Sequence, residues 1–262
     1  MTSVLVTGGT GLLGRRVCRA LTADGHTVRI LSRGPAEPPP PGVDVSVADL
    51  STGAGLAAAV AGVGAVVHCA TDPRASRAVD VDGTERLLEA ARRVGRPHVV
   101  HVSIVGVDRI PTGYYRAKLA AEAAIARSGL PATVLRATQF HEFALDLVDR
   151  VARLPLVPVP RGARIQPIDV DEVARRLADA VASGSATRLP DIGGPEVLPV
   201  ADLVRERLDD AGRHRPVLEL PLPGAVAAAL RAGANLAPGN RSGGRTWREF
   251  LDGRSPSRLP EG

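Results

Sequence analysis

Three glycines spaced three residues apart follow the β-branched run Val4–Thr7 and open a helical pattern over Leu12–Asp24, in the string Thr7-Gly8-Gly9-Thr10-Gly11-Leu12-Leu13-Gly14. A strand, a glycine loop and a helix in that order leave little choice of fold. Gly8 allows a tight turn out of the strand, Gly11 lets backbone approach a ligand, and Gly14 lets the helix lie close on the sheet. The helix N-terminus adds unpaired N–H groups and the positive end of its dipole. The loop therefore suits a diphosphate, with Gly8, Thr10, Gly11, Leu12, Leu13 and Gly14 as the cradle. No Gly-Lys-Ser/Thr follows, so this is not a P-loop, and a dinucleotide is the expected ligand.

Short apolar runs then alternate with helical patterns. Thr27–Leu31, Val43–Val47, Ala65–Cys69, His98–Ser103 and Ala132–Arg136 read as strands, with helices over Gly55–Ala61, Val79–Val94 and Tyr114–Ser128. Strands that are apolar throughout belong in a parallel sheet covered on both faces, and right-handed crossovers make it a doubly wound α/β fold. Pro35–Gly42 reads as a loop. The second half is less regular. It holds helices over Phe140–Leu154, Asp171–Ala182, Val200–Ala211 and Pro223–Ala234, a Pro-rich Pro155–Pro160, and short strands at Arg164–Ile168 and Leu189–Ile192. Gly253–Gly262 reads as a frayed tail. The expected division is a dinucleotide-binding core over residues 1–137 and a mixed region over 138–262 that completes the sheet and forms the substrate pocket.

The end of the second strand chooses the dinucleotide. An acidic residue there would hold the ribose 2′-OH of NAD, but this chain has Leu31-Ser32-Arg33. Arg33 beside the hydroxyl of Ser32 accommodates a 2′-phosphate, which favours NADP(H) over NAD(H). Asp49 and Leu50, after the third strand, are placed to meet the adenine. Cys69, Ala70 and Thr71, after the fourth, are placed to border the cofactor's ribose.

One lysine, Lys118, stands against 32 arginines, and it lies four residues after Tyr114 on a predicted helix. Residues four apart share a helix face. A compact ammonium, a shape a guanidinium does not reproduce, lowers the pKa of a neighbouring phenol and can hydrogen-bond a ribose. A phenol so tuned exchanges a proton with a carbonyl or alcohol. Tyr115 points about 100° away on the helix.

TGGTGLLG, Asp49-Leu50, HCA, VDGT (Val81–Thr84), HVSIVG (His101–Gly106) and YYRAK, in this order, resemble the short-chain dehydrogenase/reductase superfamily in its atypical or extended branch, near the NmrA-like NAD(P)-binding proteins. LRATQF, QPIDVDEVA and GGPE fit later in the chain. The resemblance implies a Rossmann core, a smaller C-terminal substrate-binding region and NAD(P)(H). It implies Tyr114 as acid/base, Lys118 as its modulator and Ser103 as the hydroxyl that holds the substrate oxygen. Here Ser103 is followed by Ile104 and Val105, where a second small hydroxyl is common, and Asp82 stands where asparagine is often found. The leading expectation is an NADP(H)-dependent oxidoreductase acting on a carbonyl or alcohol, with an activated double bond as a further option. The alternatives are a non-catalytic NAD(P)-sensing regulator and a redox-neutral isomerase or cyclase on the same fold.

Four of the six aromatic residues, Tyr114, Tyr115, Phe140 and Phe143, fall in two segments expected to line the pocket, which suggests a small apolar substrate. Tyr115, Gln139, Phe140, His141 and Phe143 are its candidate contacts. No histidine pair has metal-ligand spacing and the two cysteines are too few for a cysteine-based zinc site, so no metal is expected. The net charge of +5 comes from scattered arginines without interleaved aromatics, so no specific nucleic acid is expected. No apolar run reaches the ~18 residues of a membrane span, and Met1–Thr7 already reads as a strand, so a cytoplasmic protein that forms a homo-oligomer at most is the expectation.

Overall fold

The runs Val4–Val6 and Ala65–Val67 are wholly apolar because both of their faces are covered. A computed structural model describes residues 1–34 and 41–254. Residues 35–40 and 255–262, within the expected loop and tail, lie outside the described residues. The elements run β1 (Ser3–Thr7), α1 (Leu12–Ala23), β2 (Thr27–Ser32), β3 (Val43–Val47), α2 (Leu56–Val60), β4 (Ala65–His68), α3 (Gly83–Arg93), β5 (His98–Ile104), α4 (Gly113–Arg127) and β6 (Ala132–Ala137). They continue as α5 (His141–Val151), β7 (Val157–Pro160), β8 (Arg164–Ile165), α6 (Val170–Ser183), β9 (Leu198–Pro199), α7 (Val200–Asp210), β10 (Val217–Leu220), α8 (Ala225–Arg231) and α9 (Trp247–Asp252). One π-helical turn, Arg77–Asp82, leads directly into α3.

The first six strands form one parallel sheet in the order β3-β2-β1-β4-β5-β6. β1 is central, pairing Thr7 with Leu31 of β2 on one side and with His68 of β4 on the other. The winding reverses between β1 and β4, which makes the loops after these two strands the walls of the ligand crevice expected in this topology. Helices α1 and α6 pack together, and α2 and α4 each pack on α3. Leu5, Val66, Leu87, Val99 and Ile125 lie in a core cluster of buried residues.

The chain divides into two compact units. The first comprises Met1–Ser103, Gly113–Arg136 and Val170–Pro190, and the second Ile104–Thr112, Ala137–Asp169 and the chain from Asp191 onward. In the second unit, β7 pairs in parallel with β10 and β8 antiparallel with β9. Trp247, Phe250, Leu203 and Val157 belong to its core. A capping box between Thr246 and Glu249 starts α9. The buried Arg207 guanidinium is paired with Asp149 at 2.8 Å and Asp210 at 2.7 Å.

Sequence and structure part at three places. Pro155–Pro160 contains a strand, β7, because its prolines alternate with the buried Val157 and Val159. The expected strand Leu189–Ile192 is reduced to bridges, Arg188 to Val134 and Ile192 to Ala137, since Pro190 has no N–H for a ladder. The expected helix Val79–Val94 begins earlier and in π form. Among the described residues, no helix is long and apolar enough to cross a membrane.

Candidate active site

The glycine loop is a tight cradle. Gly8 has φ +67°, and a Cβ there would come within 2.8 Å of the Ala70 nitrogen. A Cβ on Gly14 would stand 2.1 Å from the Gly8 carbonyl oxygen, so the first turn of α1 lies directly on the loop. Gly11 is the N-cap of α1 and offers no side chain to the helix end, and the first turn carries no acidic residue. These features fit an anionic diphosphate. Thr10 and Leu12 are exposed and Leu13 is buried in the core. Arg15 donates from Nε to the Thr10 carbonyl at 2.7 Å and braces the loop.

At the end of β2, Arg33 is exposed and Ser32 half-buried, with the Ser32 hydroxyl accepting from Gly34 N–H at 3.4 Å. Asp49 is turned onto its own loop, where Oδ1 accepts from both Ser51 N–H and Ser51 Oγ at 2.7 Å. Those bonds hold the carboxyl below its usual range, with Arg33 adding to the effect. The Leu50 side chain is in the core. Burial pushes the Cys69 thiol up to about 12, so it is a neutral thiol and no nucleophile.

The crevice floor is wired by hydroxyls and one histidine. Ala70 N–H donates to Thr7 Oγ1 at 3.2 Å, and Thr7 Oγ1 meets His68 Nδ1 at 2.7 Å. On the other side, His68 Nε2 meets Thr84 Oγ1 at 2.9 Å, and that hydroxyl donates to the Asp80 carbonyl at 2.6 Å. A hydroxyl has one proton, and Thr84 has committed its own. His68 must therefore carry its hydrogen on Nε2 and accept from Thr7 on Nδ1. The ring is neutral: burial, with the Lys118 charge adding to it, pulls His68 down to about 3.

Five side chains meet above this floor. Asp80, in the π-helical turn, is 1% exposed. Its Oδ1 accepts from Thr71 Oγ1 at 2.7 Å and its Oδ2 from Asp72 N–H at 3.1 Å. The Thr71 hydroxyl also lies 2.9 Å from the Tyr114 hydroxyl. Since Thr71 gives its proton to the carboxylate, it can only accept from Tyr114, and the chain runs Tyr114 to Thr71 to Asp80. Lys118, 3% exposed, stands 3.8 Å from Asp80 Oδ1 and 3.5 Å from His101 Nε2. His101 Nδ1 lies 3.2 Å from the His68 carbonyl, so Nδ1 donates there and Nε2 accepts from the ammonium. Burial lowers the Lys118 ammonium and Asp80 opposes this.

The expected acidification of Tyr114 by Lys118 is not what this geometry produces. Burial pushes the Tyr114 phenol up to about 12, with the negative charge of Asp80 in the same direction. The Lys118 charge faces Asp80, which cancels much of its effect on the phenol.

Ser103 is buried, and its Oγ has no hydrogen-bond partner among the described residues. It stands two residues beyond His101 on β5, hence on the same sheet face and nearer the carboxyl end. Tyr115 is half-buried and packs edge-on against Tyr114 with centroids 6.3 Å apart.

In the second unit, Phe140 is the N-cap of α5 and half-buried, and Phe143 is 57% exposed. Gln139 is half-buried, with Oε1 unpartnered among the described residues. His141 corrects the expectation of a pocket group. It is buried, stacks on Phe250 at 4.8 Å, and donates from Nε2 to the Arg245 carbonyl at 2.9 Å, so it anchors α5.

Sequence reasoning missed Asp80, His68 and His101. The signal that could have found Asp80 is the single lysine. A buried ammonium needs a carboxylate, and the block Asp80-Val81-Asp82-Gly83-Thr84 supplies one.

A profile of NAD(P)H-binding proteins matches residues 8–183. The chain belongs to this NAD(P)H-binding family. Its motifs and its sheet agree with the atypical short-chain dehydrogenase/reductase form of that family. Among its relatives, the chain is 31% identical over 226 residues to the chloroplastic divinyl chlorophyllide a 8-vinyl-reductase of Oryza sativa subsp. indica, an alignment covering 74% of this chain and 55% of that one. It thus spans little more than half of the rice protein's length. It is 28% identical to a ceramide reductase of Caulobacter vibrioides, covering 86% of this chain and 75% of that protein. In fold, it matches an NADPH-dependent quinone oxidoreductase of Escherichia coli solved with NADPH, with a TM-score of 0.77, 18% identity and coverage of 95% and 98%.

Proposed function

We propose that this NAD(P)H-binding protein is an NADP(H)-dependent oxidoreductase that acts on the carbonyl or alcohol of a small, apolar substrate. The observation that carries the reading is the linkage of Tyr114 and Lys118 through Thr71 and Asp80, at the end of the strand next to the glycine cradle, with the orphaned Ser103 hydroxyl on β5 in the same unit. When bound, the nicotinamide nucleotide supplies or accepts the hydride. Tyr114 then exchanges a proton with the substrate oxygen. Ser103 Oγ, buried without a partner, is available to hold that oxygen. The Lys118 ammonium meets Asp80 and His101, and a third N–H remains for a ribose hydroxyl.

The 2′-phosphate reading rests on Arg33. It is exposed at the end of β2 beside Ser32, and the nearby Asp49 is committed to Ser51 rather than to a ribose. An apolar substrate is supported by Tyr115, which packs edge-on against Tyr114 within the first unit. The names of the rice and Caulobacter relatives, both reductases, support the reaction class. The test is NADPH consumption over a panel of ketones and quinones with the parent and Tyr114→Phe. Turnover by the parent, lost in the variant while NADPH still binds, is the expected result. Equal turnover by both proteins would refute Tyr114 as the acid/base.

A further inference from the structure

The Tyr114 phenol ends a chain of hydrogen bonds with a fixed direction. Asp80 accepts at both oxygens and the Thr71 proton points to it, so the Thr71 oxygen presents a lone pair to Tyr114. The β5 exit, Ser103-Ile104-Val105, brings only one hydroxyl, and the hydroxyl touching Tyr114 comes instead from the loop after β4. We propose that Thr71 and Asp80 are positioning residues that lock the proton on Tyr114, so that the resting site holds a neutral phenol rather than a phenolate. This rests on the acid/base reading above and fixes the protonation state in which that residue waits. In a reduction, the Tyr114 O–H would turn from Thr71 to the substrate oxygen, its O–H bond would break and a new one form on that oxygen, which becomes negative as its carbon takes hydride from the reduced nicotinamide nucleotide.

The lock is electrostatic as well as geometric. A phenolate here would face a lone pair of Thr71 and the charge of Asp80 behind it, and both disfavour it. The π-helical turn brings this about. It carries Asp80 inward where Lys118, which would otherwise stabilise a phenolate, is drawn to the carboxylate at 3.8 Å. The other titratable groups around the pair are His68 and Cys69 at the end of β4, His101 on β5, and Tyr115 and Glu122 on α4. Both histidines and the thiol stay neutral from mildly acidic to strongly alkaline pH. Glu122 is held by Arg136 at 2.7 Å.

The chain has two tyrosines, so Tyr115→Phe leaves one phenol to observe. In that background, without cofactor or substrate, the near-ultraviolet tyrosinate band is followed against pH. The starting protein should show no tyrosinate until alkaline unfolding. Asp80→Asn should bring the ionisation down by roughly one to three units. It removes the negative charge, and its amide donates to Thr71 and frees the Thr71 proton for the phenolate. Thr71→Val should lower it by less, and Thr71→Ser should restore the starting behaviour. If Asp80→Asn does not fold by circular dichroism, the Thr71 pair decides alone. An unchanged titration in folded Asp80→Asn, or in Thr71→Val, overturns the lock. Because the readout needs no turnover, the lock can fail while the enzyme reading stands, and the reverse.

Discussion

Acid should loosen the first unit well before its carboxylates protonate, and His68 sets the size of the effect. The ring is fully enclosed between Thr7 and Thr84, both nitrogens are engaged, and its folded value is about 3 against 6.5 in an open chain. Above pH 6.5 neither state is protonated and the group is neutral in its effect. As the pH falls below 6.5 the unfolded chain takes up a proton that the folded ring refuses, so stability is lost progressively down to about pH 3. At pH 5 the accumulated loss is about 2 kcal/mol, from ~1.4 kcal/mol per unit over one and a half units. That figure barely depends on the folded value so long as it lies below about 4. His98, His101 and His141 are lowered too, chiefly by burial, and act with the same sign.

Urea unfolding at pH 7 and pH 5 checks this. With a denaturant slope of about 2 kcal/mol per molar, the His68 contribution alone moves the midpoint by roughly 1 M. Far-ultraviolet circular dichroism follows the whole chain, and the single Trp247, buried in the second unit, reports that unit separately. His68→Gln should show a smaller loss between the two pH values than the parent. A parent midpoint unchanged between pH 7 and pH 5 would refute the neutral, doubly bonded ring and the direction assigned to the network around it.

Three further outcomes follow from the same structure. Gly14→Ala places a Cβ 2.1 Å from the Gly8 carbonyl and must displace the loop, so NADPH affinity by fluorescence titration should fall at least tenfold while circular dichroism stays native. Arg33→Ala should weaken NADPH by about 1.5–3 kcal/mol, as for a lost charge-assisted bond, and leave NADH within twofold; equal losses would remove the 2′-phosphate assignment. Thr246→Ala deletes the capping box of α9 and should cost about 1 kcal/mol in thermal or urea unfolding, read at Trp247.

The parallel core was legible because its signals are local and repeated. Apolar strands, a glycine loop that only one backbone shape tolerates, and helices of 3.6 periodicity all point the same way. Tyr114 and Lys118 were visible through spacing and the rarity of lysine. What escaped was non-local. Asp80 looks like any helix-surface acid until a π-helical turn rotates it inward, and no local pattern announces that extra residue. His68 and His101 read as interruptions of valine strands, and their meaning comes from groups many residues away, the Thr7 and Thr84 hydroxyls for His68 and the His68 carbonyl and Lys118 for His101. In the second unit, β7 and β10 pair across two intervening helices, α6 and α7, and the prolines of β7 mask a strand whose alternating Val157 and Val159 are buried.

The solitary ε-amine has a practical corollary. With Lys118 3% exposed and every other basic side chain of the chain an arginine or a histidine, acylating reagents meet no accessible lysine on the native surface. Slow acetylation at that position would then act as a clock for opening of the site, timing each excursion that uncovers it. Conjugation through lysine side chains should fail on this one while it remains folded.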